Sequence, residues 1–417
     1  MSGATDAAER ETEILYRDWY ATDPRRPVIR VGRHWLVSSR ALVKAVLLDQ
    51  ETFAADNTLD AETPMSVAAL RILAGHRFRL PHTLANNSGP SHAGWRRLLA
   101  PYFSPSAIER HRAYVDRVAE QLVAEAAAVL ARDGVVDLHA AVSQPLPLVV
   151  LDRIIGLPPD DIATVKRFAA AALELFWAPL TPERQRVLAD QVGAYHARLR
   201  RFAQTAGGLG AELRDHAQRT GLSDDDVVGV LFFLVVAGQE TTSQFLTALF
   251  ARLLAEPAVL AGLRRGRIAV ADVVAEGLRL LTPVVTWRRV ATRDVVLGGT
   301  TIPRGGSIVL RLAAAGRDPD EVAEPEHFLP GQRGSRRHLA FGAGAHRCLG
   351  AQLATMEAEI VVTRIADLLA EAEVVRAPRH PLNLSFRMPD ALVVRSAAVS
   401  AGVAPAGGSC RGRSRSM

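Results

Sequence analysis

Phe341-Gly-Ala-Gly-Ala-His-Arg-Cys-Leu-Gly350 runs directly into the helical pattern Ala351-Gln-Leu-Ala-Thr-Met-Glu-Ala-Glu-Ile360. Gly342 and Gly344 allow a tight turn and close approach by a flat ligand. Cys348 then falls at the start of the predicted helix, where backbone N–H groups and the helix dipole favour thiolate over thiol. A thiolate presented from a rigid loop is a soft, electron-rich ligand for a haem iron. A buried structural cysteine is the plainer alternative. A phosphate-binding glycine loop fails on spacing, because Arg347 stands where a third glycine is needed.

This string resembles, at every defined position, the haem-ligand signature of the cytochrome P450 family. The resemblance implies that Cys348 is the axial thiolate, that Phe341 packs beside it, and that His346 reaches a haem propionate. Gly342 and Gly350 belong to the same cofactor-binding loop. Other segments agree with it. Glu276-Gly-Leu-Arg279 is similar to the family's ExxR pair, and i,i+3 spacing puts both side chains on one helix face. It is followed by Pro325-Glu-His-Phe-Leu-Pro-Gly-Gln-Arg333, which looks like the family's meander. His92 and Arg96, four apart on a predicted helix, match the propionate-binding HxxxR pair, and Arg289 occupies the third propionate position. Ser88-Gly-Pro-Ser-His92 departs from the Asp-Pro-Pro that often precedes the histidine, which questions the local turn.

The clearest helix starts at Ser223, an N-cap followed by three aspartates suited to the positive helix end, and continues to about Glu256-Pro257. Its middle is apolar all round, so it is expected to run through the core. Within it, Ala237-Gly-Gln-Glu-Thr-Thr242 resembles the family's oxygen-activation motif. By that resemblance Gly238 lets the helix open beside the iron, Thr241 hydrogen-bonds oxygen or its water, and Glu240 connects to solvent protons. The residue-level alternative for Thr241 is a hydroxyl bonding the preceding turn's carbonyl.

With 417 residues, 48% of them hydrophobic and 23% charged, the chain has enough apolar content for a large core and too little charge for disorder. Two cysteines, Cys348 and Cys410, rule out a disulfide framework. All but two of the 50 basic side chains are arginine; Lys44 and Lys166 are the exceptions. The net charge of +6 is scattered and no aromatic–basic module accompanies it, which excludes a nucleic-acid binder. The charge-free run 227–238 is too short for a membrane span, and the polar N-terminus is not a signal peptide, so a soluble cytoplasmic protein is expected. The organisation predicted is a flexible N-terminus over 1–15, one catalytic domain over 16–397, and a disordered Arg/Gly/Ser tail over 398–417.

The resemblance spans roughly Asp18 to Val394. It implies a mainly α fold with small β-sheets, with haem b between the long central helix and the cysteine loop. It also implies monooxygenation: one atom of O2 inserted into a C–H bond or alkene of a hydrophobic small molecule, such as a polyketide, terpene or peptide metabolite. Oxidative C–C or C–N coupling and a non-catalytic haem sensor are the alternatives. The chain ends soon after its C-terminal strands, so electrons are expected from NAD(P)H through a separate ferredoxin and ferredoxin reductase, with the enzyme itself a monomer. An acidic carrier is expected to dock over Arg97, Arg336, Arg337 and Arg347. By family position the substrate pocket draws on Phe176, Phe233, Val236, Val284, Val285, Thr286 and Phe386.

Overall fold

The computed structural model describes residues 2–21, 23, 25–156 and 162–397. The tail expected over 398–417, with Cys410, lies outside them. The segment read as flexible from its polar composition forms a helix, α1 (Ser2–Tyr16), because Leu15 and Tyr16 at its end bury against the core.

The expected early hairpin is β1 (Val28–Val31) and β2 (His34–Val37), turning at Gly32 with φ of +53°. These strands join β3 (Phe53–Ala54), β4 (Trp287–Ala291) and β5 (Ser307–Leu310) in a sheet ordered β1-β2-β5-β4-β3. Only the β2–β5 pair is parallel, with Trp35 opposite Ile308. Strand β4 carries Trp287 and Arg289 two residues apart, so both project from one face of the sheet. A three-stranded and a two-stranded sheet complete the β-structure among the described residues.

Apart from the Cys348 loop, the rest of what positions the site is helical. The seven helices that matter here are α2 (Pro90–Leu99), α3 (Pro145–Ile155), α4 (Ile162–Trp177), α5 (Pro182–Thr205), α6 (Asp224–Ala255), α7 (Val270–Leu280) and α8 (Ala351–Ala370). Helix α6 is the long one expected. Ser223 and Asp226 form a reciprocal capping box at its N-terminus. Its 32 residues span roughly 48 Å at 1.5 Å per residue. It packs against α3, α4, α5 and α8. Length and composition would also let α6 cross a membrane, but 72% of its most apolar window is buried by the other helices.

Helix α7 is held to the following loops by a buried ion pair. Arg279 donates to Glu276 through two parallel hydrogen bonds of 2.9 and 2.7 Å, and neither side chain is exposed beyond 1%. The remaining guanidinium donors reach the carbonyls of Gly316, Pro325 and His327. Glu276 in turn accepts from Leu329 N, Gln332 Nε2 and Ser335 Oγ. Every polar atom of the pair thus has a partner, which is what makes a buried ion pair tolerable. The network clamps segment 325–335 just ahead of the Cys348 loop.

Candidate active site

A single chamber brings together segments far apart in sequence. Arg96 comes from α2, Leu151 from α3, Trp177 from α4, Thr241 from α6, Arg289 from β4 and Cys348 from the loop before α8. Gly342 and Gly344 adopt φ of +64° and +70°. A Cβ on Gly344 would lie 2.6 Å from the Leu47 carbonyl oxygen, so close backbone contact excludes any other residue there. A Cβ on Gly342 would meet nothing within 4 Å and would project into open space. The loop closes through Cys348 N donating to Phe341 O at 2.9 Å.

Cys348 keeps free surface, and that surface is chamber wall. Helix α8 begins three residues later, at Ala351, and burial pushes the Cys348 thiol up. The Gly350 N–H and the charges of Arg96 and Arg347 oppose that shift without cancelling it. A thiolate here needs a further positive charge, which a metal ion supplies.

Arg96, Arg289 and His346 border the chamber, whereas His92 stands behind, its ring stacked on His346 with centroids 4.1 Å apart. Burial, reinforced by Arg96 and Arg289, lowers His92 to about 4; burial, His92 and the same two arginines lower His346 to about 3. Both rings are therefore neutral, and the Nε2 of each is buried without a hydrogen-bond partner. Arg289 is 1% exposed, spends one donor on the Arg288 carbonyl, and is lowered to about 10 by burial alone. Among the described residues neither Arg96 nor Arg289 has a carboxylate within ion-pair distance. The turn before His92 is built without the usual aspartate: Asp56 accepts from Ser88 N, Asn87 Oδ1 accepts from Gly89 N, and Pro90 opens the helix.

Haem b fits this chamber. The cysteine shares the chamber with Gly342, beside which space is open, and a buried Arg289 and a half-buried Arg96 without counter-ions stand beside unpartnered imidazole nitrogens. An iron porphyrin with two carboxylates answers each of these.

On α6, Ala237, Gly238, Thr241 and Thr242 border the chamber and Glu240 does not. The helix stays continuous: Thr241 Oγ1 donates to Ala237 O at 3.0 Å. A Cβ on Gly238 would lie 2.9 Å from Leu151 Cδ1, so this glycine first serves close packing of α6 on α3. Glu240 is turned to the other side, 8% exposed, accepting from Lys166 Nζ at 3.2 Å and from Gln244 Nε2 at 3.5 Å. Burial lowers the Lys166 ammonium, and Glu240 partly offsets that. Glu357 of α8, on the chamber wall, is 1% exposed; burial raises it to about 8, with Lys166 pulling the other way. Neither Lys166 nor Glu357 was legible as a site residue, because their pairing depends on helices α4 and α8 meeting α6.

Phe176, Phe233, Val236, Val284 and Phe386 border the chamber as expected, joined by Trp177 and Trp287. Val285 and Thr286 do not. Alternation along the extended segment turns Val285 away from Val284 and against Trp19 and Ala313. The Thr286 hydroxyl is used up by the Leu384 carbonyl at 2.7 Å.

Fold and chamber together define a haem-binding α protein with cysteine at the metal position. The chain belongs to the cytochrome P450 family and is a P450 monooxygenase of bacterial type. The family profile "Cytochrome P450" matches residues 269–368. "Cytochrome P450 monooxygenase PikC" of Streptomyces venezuelae is 31% identical over 340 residues, covering 80% of this chain and 77% of that protein. "Polyketide biosynthesis cytochrome P450 PksS" of Bacillus subtilis (strain 168) is 30% identical over 359 residues, covering 82% and 84%. The solved structure of cytochrome P450 CREJ in complex with (4-ethylphenyl) dihydrogen phosphate superimposes with a TM-score of 0.83 at 25% identity, covering 89% of this chain and 94% of that one. Membership of the family implies haem with a cysteine thiolate, O2, and a redox partner.

Proposed function

We propose that this protein inserts one atom of O2 into a C–H bond or alkene of an uncharged hydrophobic molecule, with Cys348 as the axial ligand. The observation that carries this reading is the convergence of Cys348, Arg96, Arg289, His346 and Thr241 on one chamber walled otherwise by mostly apolar side chains. When bound, the haem supplies O2 activation, which electron donation from a thiolate favours. The protein's part is to hold, exclude and deliver. Arg96, Arg289 and His346, with His92 stacked behind, bind the two propionates by charge-assisted hydrogen bonds. Leu173, Phe176, Phe232 and Phe386 exclude water around the substrate.

Thr241 Oγ1 holds a proton at the chamber wall. Because it donates to Ala237 O, its lone pairs remain free to accept another. Glu240 is the proton source behind it, and Lys166 must release Glu240 before the carboxyl can trade protons with water. Electrons come from NAD(P)H through a ferredoxin and its reductase. Of the arginines expected to receive that carrier, Arg336 and Arg337 are tied to Asp272 and Glu321. Arg97 and Arg347 have no carboxylate partner among the described residues, so they carry the docking charge. Kinship with PksS, named for polyketide biosynthesis, supports a secondary-metabolite substrate. Burial of α6, the one described helix both long and apolar enough to span a membrane, supports action in the cytoplasm.

The carbon monoxide difference spectrum of the reduced protein tests the ligand: the thiolate band is expected in the parent and lost in Cys348→Ser. Absence of that band in the parent would overturn the reading. Product mass tests the reaction, since oxygenation adds one oxygen atom and coupling removes two hydrogens.

A further inference from the structure

Lys166 is the one buried lysine of the chain. Only two of the 50 basic side chains are lysines, and the other, Lys44, is exposed. An arginine here would present a flat fork that locks onto a single carboxylate. A lysine presents a compact charge on a flexible stem, with three donors free to turn between partners. In a chain that uses arginine almost everywhere else, the lysine at 166 supplies a cation able to move.

Two carboxyls on two other helices answer this cation. Glu240 of α6 accepts from Lys166 Nζ at 3.2 Å, and Glu357 of α8 is near enough for each charge to act on the other. Glu357 is otherwise alone: its Oε1 is buried without a hydrogen-bond partner, and Lys166 is the one charge that acts on it. A buried acceptor left unpaired carries the cost of its desolvation, so a donor arriving there is favoured. The other polar groups nearby already have partners. His139 is bound on both ring nitrogens, by Thr247 Oγ1 at 2.8 Å and Gln144 Nε2 at 3.0 Å. On α7, which packs against α8, Glu276 and Arg279 hold each other, while Arg364 and Asp367 of α8 pair at the surface with Asp116 and Arg264. Glu240 would not follow the lysine, because its Oε2 accepts from Gln244 Nε2 at 3.5 Å and Gln244 Oε1 is anchored by Met388 N at 3.1 Å.

We propose that Lys166 is a two-position switch whose second seat is Glu357: while Glu357 is protonated the ammonium stays on Glu240, and when Glu357 ionises it crosses over and leaves Glu240 Oε1 free. Glu357 is then a positioning residue, acting on proton delivery through Lys166. The protons balance: that of Glu357 leaves to solvent, the ammonium crosses with all three of its own, and the bared Glu240 carboxylate takes one from water. This rests on the proton route through Glu240 in the monooxygenase reading and names what opens it. Burial, which raises Glu357 to about 8, sets the crossing at that pH. Below it Lys166 holds Glu240, and above it Glu240 is released.

With two lysines in the chain, protein grown on lysine enriched with carbon-13 at Cε gives two side-chain NMR signals, and Lys44→Arg identifies Lys166. The spectra are taken on haem-loaded, reduced, carbon monoxide-bound protein, which is diamagnetic. The Lys166 signal is expected to shift as pH is raised through about 8, and to stay fixed in Glu357→Gln. In Glu240→Gln it is expected at the parent's high-pH position throughout, since Glu357 is then its sole counter-charge. A parent signal that does not move overturns the proposal, as does a shift that survives in Glu357→Gln and so reports the lysine's own proton. If Glu357→Gln does not fold, Glu240→Gln decides: a signal left at the parent's low-pH position overturns the switch. The carbon monoxide band is recorded on the same samples. A normal thiolate band with an unresponsive Lys166 sinks this proposal alone, whereas a missing band sinks the monooxygenase reading beneath it.

Discussion

Arg289 is a charge buried without an acid beside it, which a folded protein keeps only for a ligand that supplies the anion. Arg289→Met should remove one charge-assisted hydrogen bond to a propionate. Transfer of haem to excess apomyoglobin is then expected to run roughly ten- to a hundredfold faster, the equivalent of about 1.5–3 kcal/mol. Glu357 makes a different prediction. Burial raises it to about 8 from an ordinary value near 4.5, so the folded state holds a proton that the unfolded chain releases. Its contribution to stability is complete below about pH 4.5 and is lost as pH rises to about 8, on the order of 1 kcal/mol per pH unit. Urea titrations of parent and Glu357→Gln should therefore diverge across that window in favour of the variant and run parallel outside it.

At the scale of elements, helix α7 matters through what Arg279 ties to it. Five hydrogen bonds leave one guanidinium, two to Glu276, one to the Gly316 carbonyl and two to carbonyls of the segment ahead of the Cys348 loop. A lysine is a point charge with no planar fork, so Arg279→Lys should leave Glu276 part-paired and the carbonyls unmet. A loss of about 3–5 kcal/mol is expected, read as a lower urea midpoint and a smaller yield of haem-loaded protein. Helix α6 shows the complementary case. Its capping box and acidic first turn are set by neighbours in sequence, but which of its polar residues face the chamber depends on α3, α4 and α8.

Over the whole molecule, segment 62–66 is tied to the end of α4 and the start of α5, next to Phe176 of the chamber wall. Glu62 N donates to Phe176 O, Ser66 N donates to Gln185 Oε1 at 2.8 Å, and Gln185 Nε2 donates to Pro64 O at 3.0 Å. Glu62 anchors the same segment to the sheet. Burial would raise its carboxyl, yet His34, Arg33 and Arg288 draw it down to about 2. Gln185→Leu removes the tie between the segment and α5 and leaves Glu62 untouched. Local opening should become easier, and imidazole should reach the haem several-fold faster in stopped-flow mixing, with its equilibrium affinity little changed. An unchanged association rate would show that ligands enter elsewhere.

The amino-acid sequence by itself determined the turn before α8, the Glu276–Arg279 pair and the course of α6. In each, the residues that act together lie within one turn or one helix, so spacing alone places them. Tertiary structure decided the rest. Lys166 meets Glu240 across 74 positions, Trp177 stacks on Trp287 across more than a hundred, and Val285 and Thr286 turn away although Val284 faces in. Even the state of Cys348 depends on it, since the sequence places the sulfur near a helix start while burial by the whole fold raises the thiol. Pairing between distant segments and the loss of water around a group are consequences of packing, and no local pattern of residues encodes them.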